Sequence, residues 1–374
     1  MELRIPGRTW ALLGSLAAAA KKQGVPLYAV GGCVRDWMLG RPVCDLDLVT
    51  EGDPAALARL CGRRLEAKAE AFGAFGTWRV KGRDWRVDFA AARQEEYPEP
   101  ACLPRVRPAA LELDLLRRDF TVNAMAARLE PQGAGDIVDP YGGRSDLDAR
   151  VLRVLHPASF RDDPTRVFRA ARFLCRFDLR PAPGLLDQAR AALRGGIAGR
   201  LSRHRLAAEL LRVLGEAEPE APLRHLRSWG YLDLVFPDLP ARVRGADAAQ
   251  RLGSLALALG EKGGEFLKSL PVEHALARSE SEAWRVARGK ASPRTALPEE
   301  TALIVAAACP GLPPAALRPL LVSSADLRAA GLEPGPELGA LLEAAARAQW
   351  AGRIASRRAA LAWLKRRLVG VKRA

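Results

Sequence analysis

The sequence predicts an α+β protein: a head built on a small mixed sheet, followed by a long all-helical body. Two observations predict it. Through about residue 150, short strand-like runs interleave with helical spacing and one hairpin-like connection, which points to a sheet of mixed direction. After Leu155, Leu-, Ala- and Arg-rich segments of helical period run almost to the end, with no strand signal and no clear repeat. Proline clusters near Pro181–Pro183, Pro219–Pro222 and Pro310–Pro314 interrupt them. The 374 residues exceed the ~250–300 at which single cores stop growing, so two or more domains are expected.

Each element follows in order. Trp10 to Ala20 is apolar, but Lys21 and Lys22 close it and no cleavage pattern follows, so an amphipathic opening helix is expected rather than a signal peptide. Pro26 to Val30 (PLYAV) forms a short apolar strand, which Gly31-Gly32 breaks before a helical run from Val34 to Leu39. Asp45 to Val49 (DLDLV) alternates polar and apolar, as a half-buried strand does. Pro54 to Leu65 has helical spacing, with Asp53 suited to the cap and Pro54 to the first turn. Thr77–Val80 and Trp85–Ala90 read as strands joined by Lys81-Gly82-Arg83-Asp84. Arg93 to Pro108, rich in Glu and Pro, is too irregular for helix or strand and is expected to be a mobile loop.

Composition narrows the class. With 49% apolar and 27% charged residues the chain is expected to be globular. No apolar run reaches the ~18–20 residues of a membrane span, so no membrane partner is expected. The six cysteines (Cys33, Cys44, Cys61, Cys102, Cys175, Cys309) include no CxxC pair, which disfavours zinc and suits free thiols in a reducing cytoplasm. A net charge of +15 favours a polyanionic partner; drift in a GC-rich, Arg-heavy genome is the plain alternative.

Three blocks carry the chemistry. In the first, Gly31-Gly32-Cys33-Val34-Arg35-Asp36 precedes Asp45-Leu46-Asp47. A Gly-Gly turn between strand and helix lets backbone amides approach a triphosphate, and Arg35, one turn on, can reach a phosphate oxygen. Asp45 and Asp47, two apart on a strand, project from one face and can share Mg²⁺ through oxygen ligands. An ordinary turn and a solvated strand edge are the alternatives for each part alone; the order and spacing together favour the site. Asp88 offers a third carboxylate, to activate the attacking hydroxyl or complete the metal shell, or else an acid paired to Arg86 or Arg93.

The second block is Arg117-Arg118-Asp119-Phe120-Thr121-Val122-Asn123-Ala124, which could hold phosphates and ribose or simply cap a helix beside a solvated basic face. The third runs Arg161-Asp162-Asp163-Pro164-Thr165-Arg166-Val167-Phe168-Arg169-Ala170-Ala171-Arg172. With Pro164 in the first turn, Arg166, Arg169 and Arg172 share one helical face, tilting the reading towards a polyanion-facing surface. Asp163 and Arg166 together present an acceptor and donors, enough for a base's Watson–Crick edge. An intrahelical salt bridge is the alternative.

These blocks, in this order over residues 25 to 215, resemble the class II tRNA nucleotidyltransferases, the bacterial CCA-adding enzymes and related poly(A) polymerases. The resemblance implies a polymerase-beta-like head at 1–142, a base-recognising neck at 143–205, and a helical body and tail at 206–374 that bind tRNA. It implies that Gly32 and Arg35 bind the incoming nucleotide and that Asp45 and Asp47 bind magnesium. Arg118 would contact the nucleotide, with Asp119 or Asn123 helping to select ribose. Asp163 and Arg166 would serve as the amino-acid template that reads C or A, with Arg169 and Arg172 making phosphate or base contacts nearby. Two departures stand out: Asp162 replaces the commoner Glu, and His204 replaces the acid of a Ser-x-Glu-Arg pattern. Arg93 to Pro108 occupies the place of the family's flexible loop at full length, which argues against an enzyme adding only CC. The implied activity is addition of CCA to tRNA from CTP and ATP with release of pyrophosphate. An enzyme adding only A, relying on a separate CC-adding partner, and a poly(A) polymerase are the alternatives. An RNA-binding protein with an inactive head is the non-enzymatic one.

Overall fold

The computed structural model describes residues 3–371 apart from 74, 272–278, 290 and 313, so Pro313 of the last proline cluster lies outside the described residues. Contacts divide the chain into two compact units, one of residues 1–201 with 229–231 and one of residues 202–228 with 232–374.

The first unit carries a seven-stranded mixed sheet. Helix α1 (Gly7–Lys22) leads into β1 (Leu27–Val30), α2 (Gly32–Met38), β2 (Asp45–Thr50) and α3 (Pro54–Arg64), followed by β3 (Ala69–Phe72), β4 (Thr77–Lys81) and β5 (Arg86–Ala91). The strand order is β3-β4-β5-β2-β1-β8-β9, where β8 is Ala126–Glu130 and β9 is Gly133–Val138. Only β2 and β5 run parallel, because α3 and the β3–β4 hairpin carry the chain back to the same end. The α+β head is thus present, with β3, β8 and β9 added to the strands expected.

Local chemistry explains the boundaries. The Asp53 carboxylate accepts a hydrogen bond from the Ala55 amide at 2.8 Å, capping α3 with Pro54 in its first turn. In β2 the apolar Leu46 and Leu48 are buried while Asp45 is exposed and Asp47 partly so, as period-two alternation requires. Leu48, Val87 and Phe89 face the side packed by α1 and α3, whose Leu13, Leu16, Leu57 and Ala58 are fully buried. Each such leucine, valine or phenylalanine side chain contributes about 1.5–3 kcal/mol. The same alternation turns Asp45, Asp47 and Asp88 to the opposite face.

Two expectations are corrected. Arg93–Pro108 is framed by an antiparallel pair, β6 (Arg93–Glu96) and β7 (Arg105–Pro108), in register Arg93↔Pro108. Ion pairs replace an apolar face there: Glu95 is bound by Arg93 at 3.2 Å and Arg117 at 2.9 Å, and Tyr97 Oη donates to it at 3.0 Å. The region after Leu155 is not wholly helical either, since Arg180–Pro181 pairs in parallel with Val151–Leu152. A two-residue strand carries no periodicity to read.

The second unit is helical among the described residues, with Arg203–Leu214, Ala248–Ala258, Glu299–Ala308 and Pro336–Trp350 among its longer helices. Ser202 caps the first of these through the Arg205 amide at 3.3 Å. Val322, Leu327, Leu341, Ile354 and Leu364 form a separate apolar cluster within it. No helix among the described residues is long and apolar enough to cross a membrane.

The described cysteines are free thiols. Burial pushes Cys33 and Cys61 up to about 12, so both remain protonated and shielded, whereas Cys44 is exposed. Brief iodoacetamide treatment of the native protein at pH 8 is therefore expected to label Cys44 and spare Cys33 and Cys61, as peptide mass mapping will show. Labelling of Cys33 at the rate of Cys44 contradicts the packing of α2.

Candidate active site

The site grows from the end of β1. Gly31 adopts φ +74°, and its amide donates to the Met125 carbonyl at 3.0 Å, tying the turn to the chain before β8. The positive φ favours glycine at Gly31, and a Cβ there would lie 2.5 Å from Arg118 Nη1 and displace that guanidinium. Gly32 begins α2. Arg118 thus lies directly over the Gly-Gly turn, anchored by its Nη2 donating to Asp114 at 2.9 Å. Its Nε is buried without a hydrogen-bond partner among the described residues. A buried guanidinium N–H left open is costly unless a ligand takes it.

Next to Arg118 lies a cavity of about 290 Å³, lined also by Asp47, Asp88, Arg79, Arg117 and Phe72. Burial pushes the Asp47 carboxyl above the usual carboxylate range; Asp88 and Asp45 add to this as like charges, against the pull of Arg118 and Arg86. Asp45 is more open and pairs with Arg86 at 2.9 Å. Among the described residues no cluster of three or more ligand-type side chains closes a metal cage. Two carboxylates on one strand, with substrate phosphates completing the shell, still match how a small hard cation is held. Asp88 sits opposite Asp47 in the β2–β5 register, but Arg79 donates to both its oxygens at 2.7 and 2.8 Å. Arg86 approaches at 3.4 Å. Of the pairings considered from sequence, Arg86 is present; Arg79, nine residues back, is the main partner.

Behind the turn runs a buried ionic chain. Arg35 donates through Nε and Nη2 to Asp36 at 2.9 and 3.0 Å and through Nη1 to Asn123 Oδ1. Asn123 Nδ2 donates to Asp119 Oδ1 at 2.9 Å, and Arg169 Nε donates to Asp119 Oδ2 at 2.6 Å. The Arg35 guanidinium also stacks 4.1 Å from the Phe177 ring centroid. Arg35, expected to reach a phosphate, is buried here and engaged by the adjacent Asp36 and by Asn123, 88 residues on. Asp119 and Asn123 are likewise occupied by one another.

The third block is packed in a similar way. Helix α4 (Thr165–Arg176) follows Pro164, and on its arginine face Arg166 and Arg172 are buried. Arg166 donates to Ser159 Oγ at 2.6 Å and to the Arg117 carbonyl at 2.7 Å, while Arg169 serves Asp119. The guanidinium of Arg172 lies 6.0 Å from the Phe173 ring centroid. The Asp163 carboxylate accepts from the Thr165 amide and hydroxyl at 3.0 and 2.6 Å, so it caps α4. Sequence reasoning also missed Asp114, fully buried, which binds Arg117 and Arg118 together. Its spacing of three and four residues before the arginines on a helix was the available signal.

Burial raises the Asp119 carboxyl, but Arg169 and the Asn123 hydrogen bond outweigh it and hold the group below the usual range. A depressed folded-state value adds stability fully above the unfolded carboxylate value of about 3.9, lost as pH falls through the folded one. Urea titrations of Asp119→Asn are accordingly expected to show lower stability at pH 7 and a flatter fall below about pH 4 than wild type. Asn123→Ala is expected to cost about 1–3 kcal/mol, because two buried charged groups each lose a hydrogen bond. Wild-type midpoints for both variants contradict the chain.

The Poly A polymerase head domain model matches residues 27–153. An A-adding tRNA nucleotidyltransferase of Geobacter sulfurreducens is 37% identical over 240 residues, which is 64% of this chain and 27% of that protein. The CC-adding tRNA nucleotidyltransferase of Deinococcus radiodurans is 35% identical over 362 residues, 91% of this chain and 88% of that one. The chain spans about a quarter to a half of the length of the A-adding relatives it matches. A solved CCA-adding enzyme in an apo form shares the fold, with TM-score 0.68 at 24% identity over 92% of this chain and 94% of that one. Similarity to a CC-adding enzyme along nearly the whole of both chains, with the head model matching residues 27–153, places this chain among the class II tRNA nucleotidyltransferases.

Proposed function

We propose that this protein adds CCA to the 3′ end of tRNA without a nucleic-acid template, using CTP and ATP and releasing pyrophosphate. The observation that carries the reading is Arg118, held over the Gly31 turn with its Nε unpartnered, beside the same cavity as Asp47. A triphosphate laid along that turn would take the Arg118 donors and backbone amides, bringing its α-phosphate to Asp45 and Asp47. Those two carboxylates are the ligands for the divalent cation that the family generally uses, taken here as Mg²⁺, which when bound supplies Lewis-acid stabilisation of the phosphoryl oxygens. Arg35, Asn123 and Asp119 act as positioning residues that hold the turn and the neck helix. In this reading Asp88 activates the attacking hydroxyl through the carboxylate lone pairs that its two bonds from Arg79 leave open.

For base selection we assign the neck, residues 143–205, and within it Arg166 with Asp163. Ser159 and the Arg117 carbonyl take two of the five guanidinium N–H donors of Arg166, fixing its pose while leaving donors for a base edge. The helical body and tail, 206–374, are assigned to the tRNA. Addition of only part of the CCA sequence is a second reading, favoured by the CC-adding relative's similarity over 91% of this chain.

The deciding assay offers labelled CTP and ATP separately, with Mg²⁺, to tRNA ending before CCA and to tRNA ending in CC. Incorporation of C into the first and A into the second is the expected result. C alone makes it a CC-adding enzyme, A alone on the second an A-adding one, and long A tails a poly(A) polymerase. No incorporation rejects the proposal. Arg166→Ala is expected to lower discrimination between CTP and ATP about tenfold or more while changing tRNA affinity little, since a bidentate base contact is worth about 1–3 kcal/mol. An equal loss of tRNA binding with all nucleotides rejects Arg166 as template. Melting curves test the metal ligands independently: millimolar Mg²⁺ is expected to raise the wild-type melting temperature and to leave Asp47→Asn unchanged.

A further inference from the structure

The charged row across the sheet does not end at Asp88. Register sets Asp47 opposite Asp88, Asp88 opposite Arg79 and Arg79 opposite Glu70, so four neighbouring strands contribute side chains to one face. Phe72 lies two residues beyond Glu70 on that face, where β3 turns towards β4, and is 48% exposed. One exposed phenylalanine needs no explanation in general. This one lines the cavity that holds Asp47, Asp88 and Arg118, with the Arg79 guanidinium 3.2 Å from its ring centroid. Arg79 is held there by its two hydrogen bonds to Asp88, so one ring face is covered by a fixed cation. Phe75 follows in the same turn, and Arg93 donates to its carbonyl at 3.2 Å with its guanidinium 5.0 Å from the ring.

We propose that Phe72, backed by Arg79, is the stacking platform for the 3′-terminal base of the RNA primer, an inference that rests on the nucleotidyl transfer proposed above. The strand order assigns the occupant. Gly31 leaves β1 and Arg118 precedes β8, both on one side of β2, whereas Arg79 and Phe72 lie on the other side, beyond β5. In-line displacement sets the attacking hydroxyl and the departing pyrophosphate on opposite sides of the α-phosphorus. With the triphosphate on the Gly31 and Arg118 side, the primer terminus enters over β4 and β3, where Phe72 stands. The chemistry of the platform suits that task. The terminal nucleotide changes identity as addition proceeds, so its base must be held without being read. Every base has a π-face, and stacking on an aromatic ring backed by arginine is indifferent to the edge.

The test uses the full chain, wild type against Phe72→Ala and Phe72→Tyr, with an acceptor RNA whose 3′-terminal base is 2-aminopurine. Without nucleoside triphosphate, wild type and Phe72→Tyr are expected to quench its fluorescence on binding, and Phe72→Ala to leave it bright. In steady state, Phe72→Ala is expected to raise KM for tRNA about 5- to 100-fold, with KM for CTP and ATP unchanged and Phe72→Tyr near wild type. Undiminished quenching and an unchanged tRNA KM in Phe72→Ala overturn the platform. A rise in KM for CTP and ATP instead overturns it in favour of the incoming base. Should wild type transfer no nucleotide at all, nucleotidyl transfer itself fails, and the fluorescence arm still decides the platform.

Discussion

The buried chain from Asp36 through Arg35, Asn123 and Asp119 to Arg169 is the constraint on which the rest of the head depends. Each group satisfies its neighbour, and an unpaired charge in that interior costs about 3–5 kcal/mol when its partner is removed. The chain therefore behaves as a unit. It joins α2, the single turn at Thr121–Asn123 and α4, three pieces spread over some 140 residues of sequence. Phe173 and Phe177 lie against it, with the Arg35 guanidinium 5.4 and 4.1 Å from their ring centroids. By holding α2 in place, the chain also holds Gly31 beneath Arg118.

A second constraint comes from the two faces of the sheet. The face packed by α1 and α3 is apolar, so every second residue of β2 and β5 is committed to it. The remaining positions carry Asp45, Asp47, Arg86 and Asp88 on the other face, where they cannot be moved apart without breaking the register. Arg79 takes up Asp88 and Arg86 takes up Asp45, but the charge of Asp47 is only partly offset by Arg118. That imbalance makes the end of β2 a place where a cation and an anionic ligand are favoured together. Function and fold share one origin here: the same alternation that fills the core concentrates like charge on the open side.

Legibility followed the physics of each element. β1, β2, β4 and β5 were readable because their apolar residues recur at period two or run continuously between turn residues. β8, Ala126–Glu130, is rich in helix-compatible residues, and β9 contains Gly133 and Gly135, so neither carries that signal; both form because neighbouring strands offer partners. β6 and β7 have almost no apolar face and depend on Glu95 being bound by Arg117, which no local window contains. The arginine face of α4 was legible as a spacing but not in its burial. Periodicity says which residues share a side of a helix, whereas Arg117, Asp119 and Ser159 decide that the side is buried.

The sequence by itself determined the mixed head, the helical remainder, the cap at Asp53 and the pairing of Asp45 with Asp47 on one face. These depend on residue type and short-range spacing alone. Motif order was also sufficient to point to the family. Only the tertiary structure decided which charges remain available. Arg35, Asp119, Arg169 and Asp88 all find partners across the fold, whereas Arg118 keeps a buried donor open above Gly31. Charge satisfaction is a property of three-dimensional neighbours, and those neighbours lie up to 88 residues apart in the bonds that hold this site.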